Sequence, residues 1–340
     1  MEAFKHAASA AAHGAQRLGL LRLLERASAA RSGLLHVLTY HRVAEPEAEP
    51  HLYPGLISAT PAQFARQMRD LARRHRVLSL DEVLDSVRRR RPFPPRAVLI
   101  TFDDAYTDFL AHAWPILEGE RLPATLFVPT AFASEPGRGF WWDRLHHALQ
   151  RAKTLDPFAE DRGNRPFDRT RLFKRLRERV KALPHHDAMA WVDQLCAEAE
   201  VGSSPRCVLQ WDDLRTLARA GASLCPHTRN HPLLDRISAE EVREEVSGAR
   251  RDLEREIGSA LPVLAYPSGA YDAAAVRVVE EEGYELAFTT ERGVVDLGRD
   301  TPLRLPRIPV GRRLSGPALR VQLLAQFARF DRHLASGELR

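Results

Sequence analysis

Two pairs of residues in this 340-residue chain have the types and spacing for chemistry: the adjacent Asp103 and Asp104, and His227 and His231 with three residues between them. Neighbouring carboxylates repel, so a cation or a shared proton must give them separate roles. Two imidazoles at this spacing can converge on one ion from a turn or a helical segment, and a carboxylate completes a set of three. Three such ligands leave coordination positions open for water and substrate, as in a catalytic rather than a structural metal site. One acid then binds the metal while the other stays free to accept a proton. Taken singly, each pair also has a plain structural reading. Asp-Asp serves as a helix N-cap followed by a first-turn acid, and a lone histidine pair is often incidental.

The elements that would position these residues are strands. Ala97-Val98-Leu99-Ile100-Thr101-Phe102 is an unbroken apolar and β-branched run that ends in the two acids, as in a parallel strand covered on both faces. Ala222-Ser223-Leu224-Cys225 is a short strand that delivers His227 and His231. Strand ends of this kind share one face of an α/β fold. Further strands are expected at 34–40, 124–128, 263–266, around 287–289 and at 303–310. Thr60-Pro61-Ala62-Gln63, Ser79-Leu80-Asp81-Glu82 and Ser238-Ala239-Glu240-Glu241 read as helix starts with capping boxes. Phe64, Met68 and Leu71 share one helix face, as do Val242, Val246, Ala249 and Leu253. A helix is also expected from Tyr106 to Leu117. Strands alternating with helices argue a parallel α/β barrel or a doubly wound sheet.

From about 134 to 206 the strand signal stops, and charged helical stretches carry Trp141, Trp142 and Trp191. This reads as a helical insertion that shapes a cleft or packs as an appendage. Residues 1–31, rich in Ala and Leu with scattered basic residues, are expected to form an amphipathic helical segment. It packs on the domain or lies on a membrane surface. Residues 313–340 are expected to form a C-terminal helix.

Hydrophobic content of 44% and charged content of 28% indicate a soluble globular protein. Fifty basic against 45 acidic residues give +5, with no aromatic-interleaved basic stripe, so nucleic acid is not an expected partner. Arg88 to Arg91 read as a solvated helix end. The three cysteines, Cys196, Cys207 and Cys225, form no CxxC pair and suit a reducing compartment. Cys225 reads as a small buried strand residue. The first residues lack a continuous apolar core and a cleavage site, so neither a secretory signal nor a membrane span is expected. The expected location is cytoplasmic, with peripheral membrane contact open to the N-terminal helix.

Thr101-Phe102-Asp103-Asp104 and His227-Thr228-Arg229-Asn230-His231, in this order and at strand ends, resemble the TFDD and H-[ST]-x-x-H motifs of the NodB-homology polysaccharide deacetylases, carbohydrate esterase family 4. The resemblance spans about residues 34–312 outside the insertion. It implies a distorted (β/α)7 barrel and hydrolysis of an N-acetyl, sometimes O-acetyl, group on a glycan with release of acetate. It also implies Asp103 as general base and Asp104, His227 and His231 as ligands of a divalent metal. Two imidazoles and a carboxylate suit zinc while admitting other divalent ions.

Several positions depart from the family pattern. Ala105 follows the two acids where a glycine is usual. Ala265-Tyr266-Pro267-Ser268-Gly269 stands where the family reads Arg-x-Pro-Tyr-Gly, which makes the backbone N–H of Ser268 the candidate oxyanion donor. The motif's base-orienting arginine is therefore missing, and Arg307 in Leu305-Pro306-Arg307-Ile308 is the candidate replacement from the last strand. The family's C-terminal Leu-x-His motif is also absent. Leu38-Thr39-Tyr40-His41-Arg42-Val43 instead resembles a motif of the biofilm-polysaccharide deacetylase branch, which implies His41 as general acid. His41 also reads as a buried histidine capping the first strand. Tyr266, Trp141 and Trp142 are either platforms for sugar rings or core residues.

The expected activity is removal of N-acetyl groups from amino sugars of a cell-surface polysaccharide or its precursor. One alternative is a deacetylase or deformylase of a lipid-linked sugar, which would employ the basic N-terminal helix. Another is a catalytically silent glycan-binding protein on the same barrel.

Overall fold

The structure is a computed structural model that describes residues 33–324, apart from 136, 153–167, 203–205 and 315. The expected N-terminal helical segment lies outside the described residues. Of the expected C-terminal helix, residues 316–324 are helical, 313 and 314 are not, and 315 and 325–340 lie outside the described residues.

Eleven strands occur among the described residues: β1 (Leu34–Tyr40), β2 (Arg42–Val43), β3 (Ile57–Ala59), β4 (Arg76–Val77), β5 (Ala97–Phe102), β6 (Thr125–Val128), β7 (Ser223–Pro226), β8 (Val263–Ala265), β9 (Leu286–Arg292), β10 (Val295–Asp296) and β11 (Leu305–Pro309). Seven of them run parallel in the order β7-β6-β5-β1-β11-β9-β8 and curl into a nearly closed barrel surrounded by helices. β4 extends the sheet beside β5, β10 pairs antiparallel with the start of β1, and β2 pairs with β3 outside the barrel. The expected (β/α)7 barrel is the observed architecture.

Period-two alternation organises the interior. Leu35, Val37, Ala97, Leu99, Phe127, Cys225, Ala265, Phe288 and Leu305 share one buried cluster drawn from all seven barrel strands. Their sequence neighbours Leu38, Tyr40, Val98, Ile100 and Phe102 face a second cluster made with the helices. Both faces are apolar because helices cover the outside, so the strands read as continuous hydrophobic runs. Continuing the inward register in steps of two past the apolar layer reaches Asp103 just after β5 by way of Thr101, His227 just after β7 and Arg307 on β11. The candidate site is the top, polar layer of the barrel interior.

The helix starts behave as their residues dictate. Thr60, Ser79 and Ser238 each form a complete capping box, and Gly258 ends the Ala239–Ile257 helix at φ 93°, a conformation that costs glycine little. Phe64, Met68, Leu71, Val242, Val246, Ala249 and Leu253 are all buried. One expectation needs correction. The helix anticipated from Tyr106 to Leu117 instead has Tyr106 in a bridge to Val208, a π turn over Phe109–Ala113 and an α segment over Trp114–Gly119. Pro115 lacks the N–H that would continue the α ladder, and the wider π turn absorbs the mismatch.

The insertion contributes helices Trp141–Arg151, Arg169–Ala182 and His185–Glu198. Leu145, Leu172, Leu176 and Val192 pack these helices into the same cluster as the barrel's outer face. Among the described residues no helix is long and apolar enough to cross a membrane.

Candidate active site

Asp103 follows the last residue of β5, and its N–H extends the β1 ladder to the Tyr40 carbonyl at 3.0 Å. Its carboxylate is buried and faces Arg307, whose guanidinium donates from Nη1 to Oδ1 at 2.8 Å and from Nη2 to Oδ2 at 2.7 Å. Arg307 is itself 1% exposed and is held from behind by its Nε–H, which donates to the Thr289 carbonyl at 2.8 Å. A planar fork fixed at three points orients both carboxylate oxygens. Burial raises the Asp103 carboxyl, but the Arg307 charge, with His227 beside it, holds it below the ordinary carboxylate value.

Asp104 Oδ1 faces His231 Nε2 at 3.3 Å and His227 Nε2 at 3.5 Å, and the three donor atoms lie within 4.8 Å of one another. Ligands bound to zinc at about 2.0–2.1 Å with tetrahedral angles sit about 3.3–3.4 Å apart, so these spacings fit a shared ion. Oδ1 has no well-formed hydrogen bond despite being fully buried. A buried carboxylate oxygen left this way is costly unless something else occupies the space between it and the imidazoles. The His227 Nδ1–H donates to the Ala265 carbonyl at 2.7 Å, which fixes the tautomer and leaves Nε2 as a free acceptor. The residues present therefore suit a divalent cation.

Backbone strain concentrates here. Asp104 (φ 71°), Ala105 (φ 49°), Thr228 (φ 63°), His231 (φ 57°) and Ser268 (φ 52°) are all left-handed without being glycine. Such residues persist where surrounding contacts over-determine them, and they gather at functional sites. The left-handed Ala105 explains why glycine would be at ease after the two acids.

His41 begins the turn after β1. Its Nε2 is 4.0 Å from Asp104 Oδ2, and its N–H donates to Ser58 Oγ at 3.0 Å. Its neighbour Arg42 is buried and paired with Asp108 at 2.7 Å, which immobilises the turn. Ser268 lies in a tight turn over Pro267–Gly269 beyond β8 and borders the same cleft as Asp103, Asp104, His41, His227 and His231. The structure thus brings together all seven residues singled out from the sequence.

The aromatic candidates divide. Trp141 and Trp142 border the cleft, and the Trp142 ring packs edge-on against His231 at 5.1 Å. Tyr266 does not. It is fully buried with its hydroxyl donating to the Leu303 carbonyl at 3.0 Å, because its position faces the helices rather than the interior. Cys225 is an interior core residue whose thiol burial pushes up, which removes a thiolate from the candidate chemistry.

Sequence reasoning missed the tie beneath the tryptophans. Trp142 Nε1–H donates to the Tyr106 hydroxyl at 2.8 Å, and Tyr106 donates to Asp143 Oδ2 at 2.6 Å. The Tyr53 N–H donates to Asp143 Oδ1 at 2.6 Å. Asp143 is buried, which pushes its carboxyl up to about 7 even though Tyr106 and Tyr53 bond to it. Tyr53, Arg177 and Lys181 on the cleft wall were also missed.

A barrel of seven parallel strands with a clamped acid beside an Asp-His-His cluster defines the chain as a carbohydrate-esterase type of α/β barrel. The family profile described as polysaccharide deacetylase matches residues 90–287, and the chain belongs to that family. It is similar to the poly-β-1,6-N-acetyl-D-glucosamine N-deacetylase of Escherichia coli K12, at 22% identity over 259 residues, covering 76% of this chain and 34% of that one. Similarity to YxkH of Bacillus subtilis is 21% over 224 residues, covering 66% and 54%. The chain thus spans about half and about a third of the length of these two relatives. Two solved structures share the fold. The deacetylase PplD of Streptococcus pyogenes, in complex with acetate, has a TM-score of 0.59 at 20% identity, covering 86% of this chain and 99% of that one. IcaB from Ammonifex degensii has a TM-score of 0.56 at 20% identity, covering 86% and 97%.

Proposed function

We propose that this chain hydrolyses N-acetyl groups of amino sugars in a cell-surface polysaccharide or its precursor. The observation that carries the reading is the Arg307-clamped Asp103 beside an unpartnered Asp104 oxygen flanked by two imidazoles. A relative named for deacetylating a polymer of N-acetylglucosamine supports an amino-sugar substrate.

Asp104, His227 and His231 would hold the divalent ion, and two imidazoles with a carboxylate suit zinc. Such an ion, when bound, acidifies water and polarises a carbonyl. Asp103, kept ionised and oriented by Arg307, accepts a proton from the attacking water. The Ser268 N–H donates to the oxyanion that develops on the acetyl carbonyl. His41 returns a proton to the leaving nitrogen, so that amine and acetate depart.

Metal content of the purified protein tests the site, alongside Asp104→Ala and His227→Ala. About one divalent ion per chain, lost in both variants, together with acetate release from N-acetylated oligosaccharides, is the expected result. A wild-type protein that neither retains zinc, cobalt or nickel nor gains thermal stability from them would remove the hydrolase reading.

A further inference from the structure

The cleft bordered by Asp103 and Asp104 has a second wall that no chemistry assigned so far employs. It comes from the Arg169–Ala182 helix of the insertion, which presents Arg177 and Lys181 one turn apart. The helix is rich in cations, and most of them are accounted for. Arg169 donates to the Leu149 and Gln150 carbonyls, Arg171 pairs with Asp168, Arg177 with Glu178, and Arg179 stacks over Trp191. Lys174 and Arg175 are exposed to water.

Lys181 is different. It is half-buried in the cleft and makes no hydrogen bond or salt bridge with any described residue. Burial and the neighbouring Arg177 charge push its ammonium below the ordinary lysine value, outweighing the opposing pull of Glu178. The nearby acids are already committed: Asp103 to Arg307, Asp104 to the imidazoles and Glu178 to Arg177. An ammonium drawn partly out of water beside committed acids lacks a counter-ion that a ligand can supply. Past Trp141 and Lys181 the cleft continues into a depression bordered by His185, Met189 and Arg236, so a ligand longer than one sugar can lie along this wall.

We propose that the glycan bound here carries an acidic group, a carboxylate or a phosphate, which pairs with Lys181 while its acetamide faces Asp103. The proposal rests on the deacetylase reading for the acetamide, and on the insertion wall alone for the anion.

The test is calorimetric binding to the zinc-loaded protein at low and high salt. The probes are neutral chitotriose, a glucuronate-containing N-acetylated tetrasaccharide, and N-acetylglucosamine 1-phosphate; acetate release is followed separately. At least one acidic probe is expected to bind about tenfold or more tightly than chitotriose, and the arm that does so identifies carboxylate or phosphate. Lys181→Met should abolish the preference, Lys181→Arg should keep it, and Arg175→Ala on the water-facing side should leave it unaltered. Equal binding of all three probes overturns the proposal. So does a preference that survives Lys181→Met, since it would then belong to the metal. A Lys181-dependent preference without acetate release from any probe would sustain this inference and defeat the deacetylase reading. Acetate release from chitotriose without an acidic preference would do the reverse.

Discussion

Arg307→Met is the sharpest test of the clamp, because it deletes the charge while keeping most of the side chain's volume. The structure assigns the guanidinium two hydrogen bonds to Asp103 and one to the Thr289 carbonyl, and both side chains of the ion pair are buried. Removing one member of a buried ion pair leaves the other charge uncompensated and costs about 3–5 kcal/mol. The orphaned Thr289 carbonyl adds about 1 kcal/mol. A loss of about 4–6 kcal/mol in unfolding free energy is therefore expected, within the 5–15 kcal/mol typical of a native domain. Urea unfolding of the metal-stripped protein at pH 7 reads this directly, with a displaced midpoint and an unchanged m value. Asp103→Asn provides the second arm. A neutral amide needs no counter-charge, so the double variant should be less destabilised than the two singles combined, by about 2–3 kcal/mol. Arg307→Lys should rescue only partly, since an ammonium cannot reproduce the fork. An Arg307→Met protein within about 1 kcal/mol of wild type, or strict additivity with Asp103→Asn, would refute the clamp.

Two other predictions follow from named contacts. His41→Ala should lower kcat by about 10²–10³-fold with metal content and thermal stability unchanged, and near-wild-type turnover would remove His41 as the acid. Asp143 titrates near 7 in the folded chain and near 4 when unfolded, so between these values the folded state holds a proton that the unfolded state has released. Its contribution to stability is thus present below about pH 4 and is lost as pH rises to about 7. Asp143→Asn should gain on wild type across that window by about 1.4 kcal/mol per pH unit, measured by denaturation at a series of pH values; parallel curves would contradict the assignment.

Much of the site was legible because its residues obey a periodicity of two. Ala97, Leu99, Thr101 and Asp103 alternate inward along one strand, and the same step carries Cys225 to His227 and Leu305 to Arg307. The capping boxes and the inward faces of the long helices were equally readable, since both depend on spacing within one turn. Other features depend on contacts between distant segments. Nothing local marks Arg177 and Lys181 as the cations of their basic helix that border the cleft. Asp143 reads as an ordinary first-turn acid until Tyr106 and Tyr53 close over it. The left-handed backbones at Asp104, Thr228 and His231 carry no glycine to announce them. Tyr266 was ambiguous because an aromatic beside a motif looks the same in sequence whether it faces sugar or core.

The strand order divides the barrel into two arcs that meet at β1, one holding β5, β6 and β7 and the other β11, β9 and β8. All three metal-ligand candidates belong to the first arc and His41 follows the shared β1, whereas Arg307 and Ser268 belong to the second. Between β7 and β8, where among the described residues no ladder bond joins the arcs, the His227 imidazole reaches across to the Ala265 carbonyl. A ribosome making this chain releases the whole Asp-His-His set well before it reaches β11. A nascent or C-terminally truncated chain would therefore possess the ion-binding residues without the fork that disciplines the neighbouring acid. On the proposed mechanism, the oriented base is complete only once the final strand has joined the barrel.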